Sequence, residues 1–316
     1  MPLNHLQIIT LQNINGCDKK SIFTIAEYVD KNALSIKDNI QFFDVIEKLK
    51  SEQYLRNFPV IKLKDLEDSH NKAKEIIEGN KKYGIGIISY YDNCFPQILR
   101  ETLDDYGRWT PPILLYYRGN IEALSKPGVA IVGTRNPTKD GMLAGEYLAS
   151  ELAQKGINVI SGLALGCDTC AHQGALNAGG TTTAFLAHGL DYIYPVENKV
   201  LSEKITRNGG LLLSEYAIGT RSNKFTFVER DRLQSGLGFA TIVVQTTMNG
   251  GTMHAANSTL KAQKPLYCVW FKDINTRQHE VFKGNDFLVR KGGVYLSKKI
   301  QIETLVNKLN SKSLNL

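Results

Sequence analysis

The stretch GVAIVGTRNPTKDGMLAGEYLASELAQKGINVISGLALGCD, residues 128–168, decides the fold. An apolar run at 129–132 stops at Gly133, Thr134 and Arg135. Met142, Leu143, Tyr147, Leu148 and Leu152 then recur on one face of a helix. A second apolar run at 157–160 stops at Ser161 and Gly162. Strand, turn, helix and strand within about 40 residues make a βαβ unit, which requires a parallel sheet and a right-handed crossover. Such sheets bind ligands outside the carboxyl ends of their strands, so the two glycine turns mark the expected binding edge.

The same alternation continues outward. Strands are expected at 128–133, 157–161, 181–186, 210–213, 240–245 and 265–270, with helices around 140–155, 168–178, 198–207, 229–236 and 253–263. This pattern predicts an α/β fold with a doubly wound, mostly parallel sheet. Upstream, Leu6, Ile9, Ile14, Ile22, Ile25, Ala26 and Val29 fall at helical spacing around a turn at Asn15 and Gly16, and 36–49 and 67–80 are further amphipathic stretches. Residues 1–80 are therefore expected to form an N-terminal helical module of SAM or helix-hairpin-helix type, and 84–316 the sheet domain. Strands at 85–88 and 113–117 and a short helix around 97–103 lie at the joint. The tail from residue 271 is basic, with Gly284-Asn285 and Gly292-Gly293 as turn signals and a helix-like stretch at 302–309.

Bulk properties narrow the function classes. The chain has 316 residues, enough for about two domains. No run of 18 apolar residues is present, so no membrane span is expected, and the N-terminus lacks the pattern of a secretory signal. Five scattered cysteines fit reduced thiols and a cytoplasmic setting. Of 38 Lys/Arg and 31 Asp/Glu, residues 1–80 hold 11 and 12, leaving 27 and 19 for the rest. Residues 1–80 thus carry a net −1 and the sheet region a net +8 of the chain's +7, which favours a polyanionic partner.

Four constellations carry chemistry. Gly133-Thr134-Arg135 ends a strand with close backbone access, a hydroxyl and a planar guanidinium, but its spacing is not the GxGxxG of a dinucleotide site. Ser161 to Asp168 offers two glycines before a helix as an anion-binding nest, with Asp168 as the expected N-cap and His172 beside it. Cys167 and Cys170 form a CxxC without a second ligand pair, so no metal is expected. RSNKFTFVERDR (221–232) interleaves Arg221, Lys224, Arg230 and Arg232 with Phe225 and Phe227, the ingredients of a single-strand binding site. Asn249-Gly250-Gly251-Thr252 is another anion-ready turn at a helix N-terminus. No catalytic set is present, no cofactor is expected, and His188 and His254 read as structural or ligand-adjacent.

These residues resemble the DNA-processing protein A (DprA/Smf) family. VAIVGTR (129–135), SGLALGCDTCAH (161–172), GLDYIYPVEN (189–198), LLLSEY (211–216), RDRLQSGLG (230–238), GGT (250–252) and KGNDFLVRKGG (283–293) follow in that family's order. The resemblance implies an extended Rossmann-like domain with a basic pocket for single-stranded DNA. It places Gly133, Thr134, Arg135, Ser161, Gly162, Lys224, Phe227, Arg230, Arg232, Gly251 and Thr252 at that pocket. It also implies a non-enzymatic homodimer that protects single strands and loads a RecA-type recombinase during natural transformation.

Two departures accompany the resemblance. The family's loop is close to Phe-Pro-x-Arg-Asn-Arg, whereas Phe227 is followed here by Val228, Glu229, Arg230, Asp231 and Arg232. The two carboxylates either oppose phosphate or orient the arginines. The chain ends soon after the sheet region, so the C-terminal winged-helix module of many members is expected to be absent. The competing reading is a nucleotide-binding sensor or nucleotide-processing enzyme of the same superfamily, although 252–255 lacks the glutamate that such enzymes use after their GGT turn.

Overall fold

A computed structural model describes residues 1–313, so the last three residues of the expected 84–316 domain lie outside the described residues. The chain divides into two compact units: residues 1–95 with 113–115, and residues 96–112 with 116 onward.

The first unit is helical. It contains α1 (His5–Gln12), α2 (Lys19–Lys31), α3 (Asn39–Ser51), α4 (Leu63–Lys82) and the strand β1 (Gly86–Ser89). Asn4, Asp18 and Asp38 cap α1, α2 and α3 through side-chain oxygens that accept backbone N–H groups. The apolar residues at helical spacing are the buried ones, among them Ile8, Ile9, Ile22, Ile25, Val29, Phe42, Ile46 and Leu66.

The second unit opens with the one-turn helix α5 (Gln97–Arg100) and continues, from residue 116, along the strand β2 (Leu114–Gly119). Strands and helices then alternate: β3 (Gly128–Val132), α6 (Lys139–Gln154), β4 (Asn158–Ser161), α7 (Cys167–Asn177), β5 (Thr182–Leu186), α8 (Lys199–Arg207), β6 (Leu211–Ser214), α9 (Lys224–Leu237), β7 (Ala240–Val243), α10 (Thr252–Lys261) and β8 (Leu266–Val269). The chain closes with α11 (Ile274–Gln278), α12 (Glu280–Arg290), β9 (Val294–Leu296) and α13 (Lys299–Ser313). From β2 the strand order is β2-β6-β5-β4-β3-β7-β8-β9. All neighbours in this series run parallel except β2 and β6, which pair Tyr116 with Ser214 and Gly119 with Leu211 in antiparallel register. The fold is the expected doubly wound, mostly parallel α/β sheet. Its strands are buried throughout β3 to β7, as a sheet covered on both faces requires.

The order places the binding edge. From β3 the chain moves through α6 to β4 on one side, and from β7 through α10 to β8 on the other. The strands β3 and β7 are therefore the topological switch point, where diverging connections leave a crevice at the carboxyl ends. Gly133-Thr134-Arg135 and the 246–251 loop leave from those two ends.

Two elements differ from the sequence expectation. The helix expected around 229–236 begins at Lys224, because Asn223 caps it with bonds from Phe225 N and Thr226 N of 2.8 and 3.1 Å. Gly284 and Asn285 lie inside α12 rather than in a turn. The buried Asn285 accepts from Thr246 N (3.0 Å) and donates to Val244 O (2.9 Å) and Val269 O (3.2 Å), which ties the end of β7 to β8. Turn-type residues here serve tertiary contacts.

The C-terminus of α9 is buried, so its last carbonyls need donors. Lys264 Nζ supplies them, reaching Ser235 O, Gly236 O and Gly238 O at 3.0, 2.6 and 3.0 Å. Lys264→Met keeps the apolar stem and removes all three bonds. It is expected to lower unfolding free energy by about 2–3 kcal/mol, measured by urea denaturation.

Candidate functional site

A cleft of about 750 Å³ opens at the switch point. One wall is Gly133, Thr134 and Arg135 after β3; the second is Lys224, Phe227, Arg230 and Asp231 on α9; the third is Thr246, Thr247, Gly250, Gly251, Thr252 and His254, leading into α10. Of the residues that the sequence pointed to, Gly133, Thr134, Arg135, Lys224, Phe227, Arg230, Gly251 and Thr252 come together on it. Gly162 lines a small neighbouring pocket with Leu165, Tyr194 and Pro195, and Arg135 and Phe227 border both. Ser161 and Arg232 line neither. Ser161 is fully buried, and its hydroxyl donates to Ile131 O (2.7 Å), joining β4 to β3. Arg232 is also buried: its guanidinium donates to Glu215 Oε2 (2.6 Å), Thr110 O (3.0 Å) and Glu229 O.

The three glycine turns and the start of α9 are not equivalent. In the turn after β4 the nest is already filled, because Asp168 Oδ2 accepts from Gly162 N (3.1 Å) and Ala164 N (3.3 Å). His172 Nε2 accepts from Leu163 N (3.3 Å) and its Nδ1 meets the Thr182 hydroxyl (2.7 Å). Asp168 is thus inside α7, reaching back across the turn, rather than the expected N-cap; Gly166 holds that position. Burial, and secondarily the Arg230 charge, push the His172 pKa down to about 3, so the ring is neutral and acts as an acceptor. After β3 the Thr134 N–H is also taken, by Gln245 O at 2.7 Å. Asn223 occupies the N-terminus of α9. The N-terminus of α10 has no side-chain cap, and the Gly251 and Thr252 N–H groups have no partner among the described residues. Space is open around Gly251. Its free donors and the helix dipole suit an anion.

The cations divide in the same way. Arg135 and Lys224 are exposed and make no ion pair among the described residues. The Arg135 guanidinium lies 5.1 Å from the centre of the Phe227 ring, which Tyr194 approaches from 6.0 Å. Arg230 is 4% exposed. Its Nη1 donates to Gly162 O and to Phe185 O (2.6 Å), and its Nε pairs with Asp231 Oδ1 at 3.0 Å. Asp231 is thereby an orienting partner of Arg230, and it also accepts from Gln234 Nε2 (3.1 Å). Glu229 is exposed. Burial pushes Asp231 up to about 6, against the downward pull of Arg230 and with a further push from Asp168. Asp168 is raised as well, chiefly by burial, with Arg230 opposing.

The sequence did not reveal Asp105, Tyr194 and Gln245 as parts of this region. Asp105 Oδ2 lies 2.7 Å from His254 Nδ1 across 149 residues of chain, a pairing with no local signature. Gln245 Oε1 accepts from Thr138 N and its Nε2 donates to the Thr138 hydroxyl, both at 2.9 Å, which fixes the start of α6. Cys167 and Cys170 are buried thiols, and among the described residues no group of three His, Cys, Asp or Glu is placed to hold a metal.

Two predictions follow from the Arg230 cluster. A Cβ at Gly162 overlaps the Arg230 guanidinium. Gly162→Ala should therefore displace Arg230 and cost about 1–3 kcal/mol, read from denaturant midpoints. For Asp231, the folded-state pKa lies above the ordinary carboxylate value. Between pH about 4 and 6 the folded protein keeps a proton that the unfolded chain has released. This contribution is complete at the acid end and lost as pH rises through about 6. Asp231→Asn should flatten the decline of unfolding free energy between pH 4.5 and 6.5 by an amount on the order of 1–3 kcal/mol.

A family model described as DNA recombination-mediator protein A matches residues 86–309. The DNA processing protein DprA of Bacillus subtilis is 32% identical over 206 residues, which cover 65% of this chain and 67% of that protein. DprA of Streptococcus pneumoniae is 36% identical over 181 residues, covering 57% of this chain. The chain spans 61% of that protein's length, and 42% of the Synechocystis protein Smf. Among solved structures, S. pneumoniae DprA superposes with a TM-score of 0.74 at 24% identity, covering 96% of this chain and 98% of that one. DNA processing protein A of Helicobacter pylori, whose structure describes a single-stranded DNA binding mode, superposes with a TM-score of 0.60 at 30% identity, covering 72% and 96%. No described helix is long and apolar enough to cross a membrane. A match across most of the sheet region, on the sheet edge where the glycine turns and basic residues converge, assigns the chain to the DNA recombination-mediator protein A family.

Proposed function

We propose that the cleft binds single-stranded DNA. The observation that carries this reading is the grouping of two unpaired cations, Arg135 and Lys224, with the Phe227 ring and the uncapped N-terminus of α10. Cations and free N–H groups suit phosphates, and the ring suits a base. Gly133, Thr134, Arg135, Lys224, Phe227, Gly251 and Thr252 meet the strand directly. Ser161, Gly162, Arg230 and Arg232 hold the walls in place. The family's description and the H. pylori relative support the same ligand.

On this reading the chain is a non-catalytic cytoplasmic protein, without cofactor, that protects single strands. It delivers them to a RecA-type recombinase, in transformation or another recombination pathway, as a homodimer. The helices of 1–80 form a module separate from the 84–316 domain. The second reading, a nucleotide sensor or nucleotide-processing enzyme, draws on the loop carboxylates Glu229 and Asp231, which would serve a small nucleotide rather than a continuous phosphate backbone.

Fluorescence anisotropy of a labelled oligothymidylate across a salt series separates the two. Arg135→Ala should weaken binding about 5- to 20-fold and lower the salt slope by about 0.7, the value of one phosphate contact on a single strand. Lys224→Ala should do the same. Duplex binding as tight as single-strand binding, or complete competition by a mononucleotide, would sink the DNA reading.

A further inference from the structure

His254 stands in the first turn of α10 and lines the cleft. Its Nδ1 lies 2.7 Å from Asp105 Oδ2; the carboxylate side chain is 14% exposed and the imidazole 37%. The other ring nitrogen, Nε2, has no protein partner among the described residues. The carboxylate therefore fixes the ring and leaves its second nitrogen to the cleft. A histidine that merely completed the packing would be covered on both edges.

Chemistry follows from that arrangement. With Asp105 accepting the Nδ1 proton, the neutral ring carries its lone pair at Nε2. A lone pair repels a phosphate oxygen. The imidazolium carries a proton at Nε2 and donates to one, with a full positive charge behind the bond. We propose that His254, oriented by Asp105, is a phosphate-contacting residue of the cleft and makes its affinity for the DNA backbone depend on pH. This rests on the reading of the cleft as a single-strand site.

The charged groups around the ring set the background. Asp105 faces it from the 101–112 segment, and on α9 the Asp231 carboxylate interacts with His254 while pairing with Arg230. Lys224 stands on the same wall as Arg230, Arg135 stands on the β3 wall, and Asp168 lies behind Arg230 on α7. On α10 itself the next charge is Lys261, whose side chain lies against Gly107. Asp231 takes up a proton near pH 6 and so removes negative charge from the cleft, alongside the proposed His254 contact. The two effects share a sign and need separate variants.

The experiment is oligothymidylate anisotropy at pH 8.0, 7.0 and 6.0 and constant ionic strength. It uses the full chain as wild type, His254→Gln, Asp105→Asn, Asp231→Asn and the His254→Gln/Asp231→Asn pair, with melting curves to confirm folding. Wild-type affinity should rise about tenfold from pH 8.0 to 6.0. His254→Gln should lose most of that rise. Asp105→Asn should lose part of it, Asp231→Asn should keep the His254 share, and the double variant should be flat. A wild-type slope in His254→Gln, with or without uniform weakening, overturns the inference and leaves the cleft reading standing. Absence of binding by every protein at every pH overturns the cleft reading and this inference with it.

Discussion

The buried guanidinium of Arg230 is the constraint on which the rest of the cleft depends. It leaves α9, crosses to Gly162 beyond β4 and Phe185 in β5, and holds the Asp231 carboxylate on its own helix. A buried cation in these surroundings costs several kcal/mol unless it is paired and hydrogen-bonded, and removing one partner leaves the other charge stranded. The residue at 162 must therefore lack a side chain, Asp231 must accept from Nε, and Asp168 must sit near enough to offset the burial of the guanidinium. A loop, a helix and two strand ends become one rigid corner. Arg135 and Lys224 are free to face solvent because Arg230 and Arg232 already fix the wall beneath them.

That division of labour explains what was legible in the sequence. Strand ends such as 128–133 and 157–161 were readable because a doubly covered parallel strand is an unbroken apolar run that stops at glycine. The start of α9 was not readable. Its buried face includes Thr226, Arg230, Arg232 and Gln234, so the side chains that point inward are polar and the helical hydrophobic period disappears. Gly284 and Asn285 misled for the related reason that turn-forming residues are also those that allow close approach and bind strand ends. The basic residues of 221–232 were recognisable as a group, but sequence cannot tell a cation that faces a ligand from one consumed by carbonyls. Only the three-dimensional partners of Arg135 and Arg232 separate them.

The three glycine turns and the start of α9 teach the same distinction. All four have the composition of an anion site. The turn after β4 has swallowed its own anion, since Asp168 occupies the donors that a phosphate would use, and His172 takes the N–H between them. Asn223 does likewise at α9. The open turn at α10 also begins with a glycine, Gly251, as α7 does with Gly166, but no side chain accepts from the Gly251 or Thr252 N–H among the described residues.

The antiparallel strand β2 has a wider consequence. Every parallel strand delivers only the loop that follows it to the carboxyl edge of the sheet. Because β2 runs the other way, what reaches that edge is the segment that precedes it, and so Asp105 and Thr110 meet α10 and α9. This segment is outside the series of βα crossovers and carries none of their topology. Its length and composition can drift without rethreading the sheet. The fold thus has one support of its cleft, behind His254 and Arg232, that can be rewritten independently of the three walls.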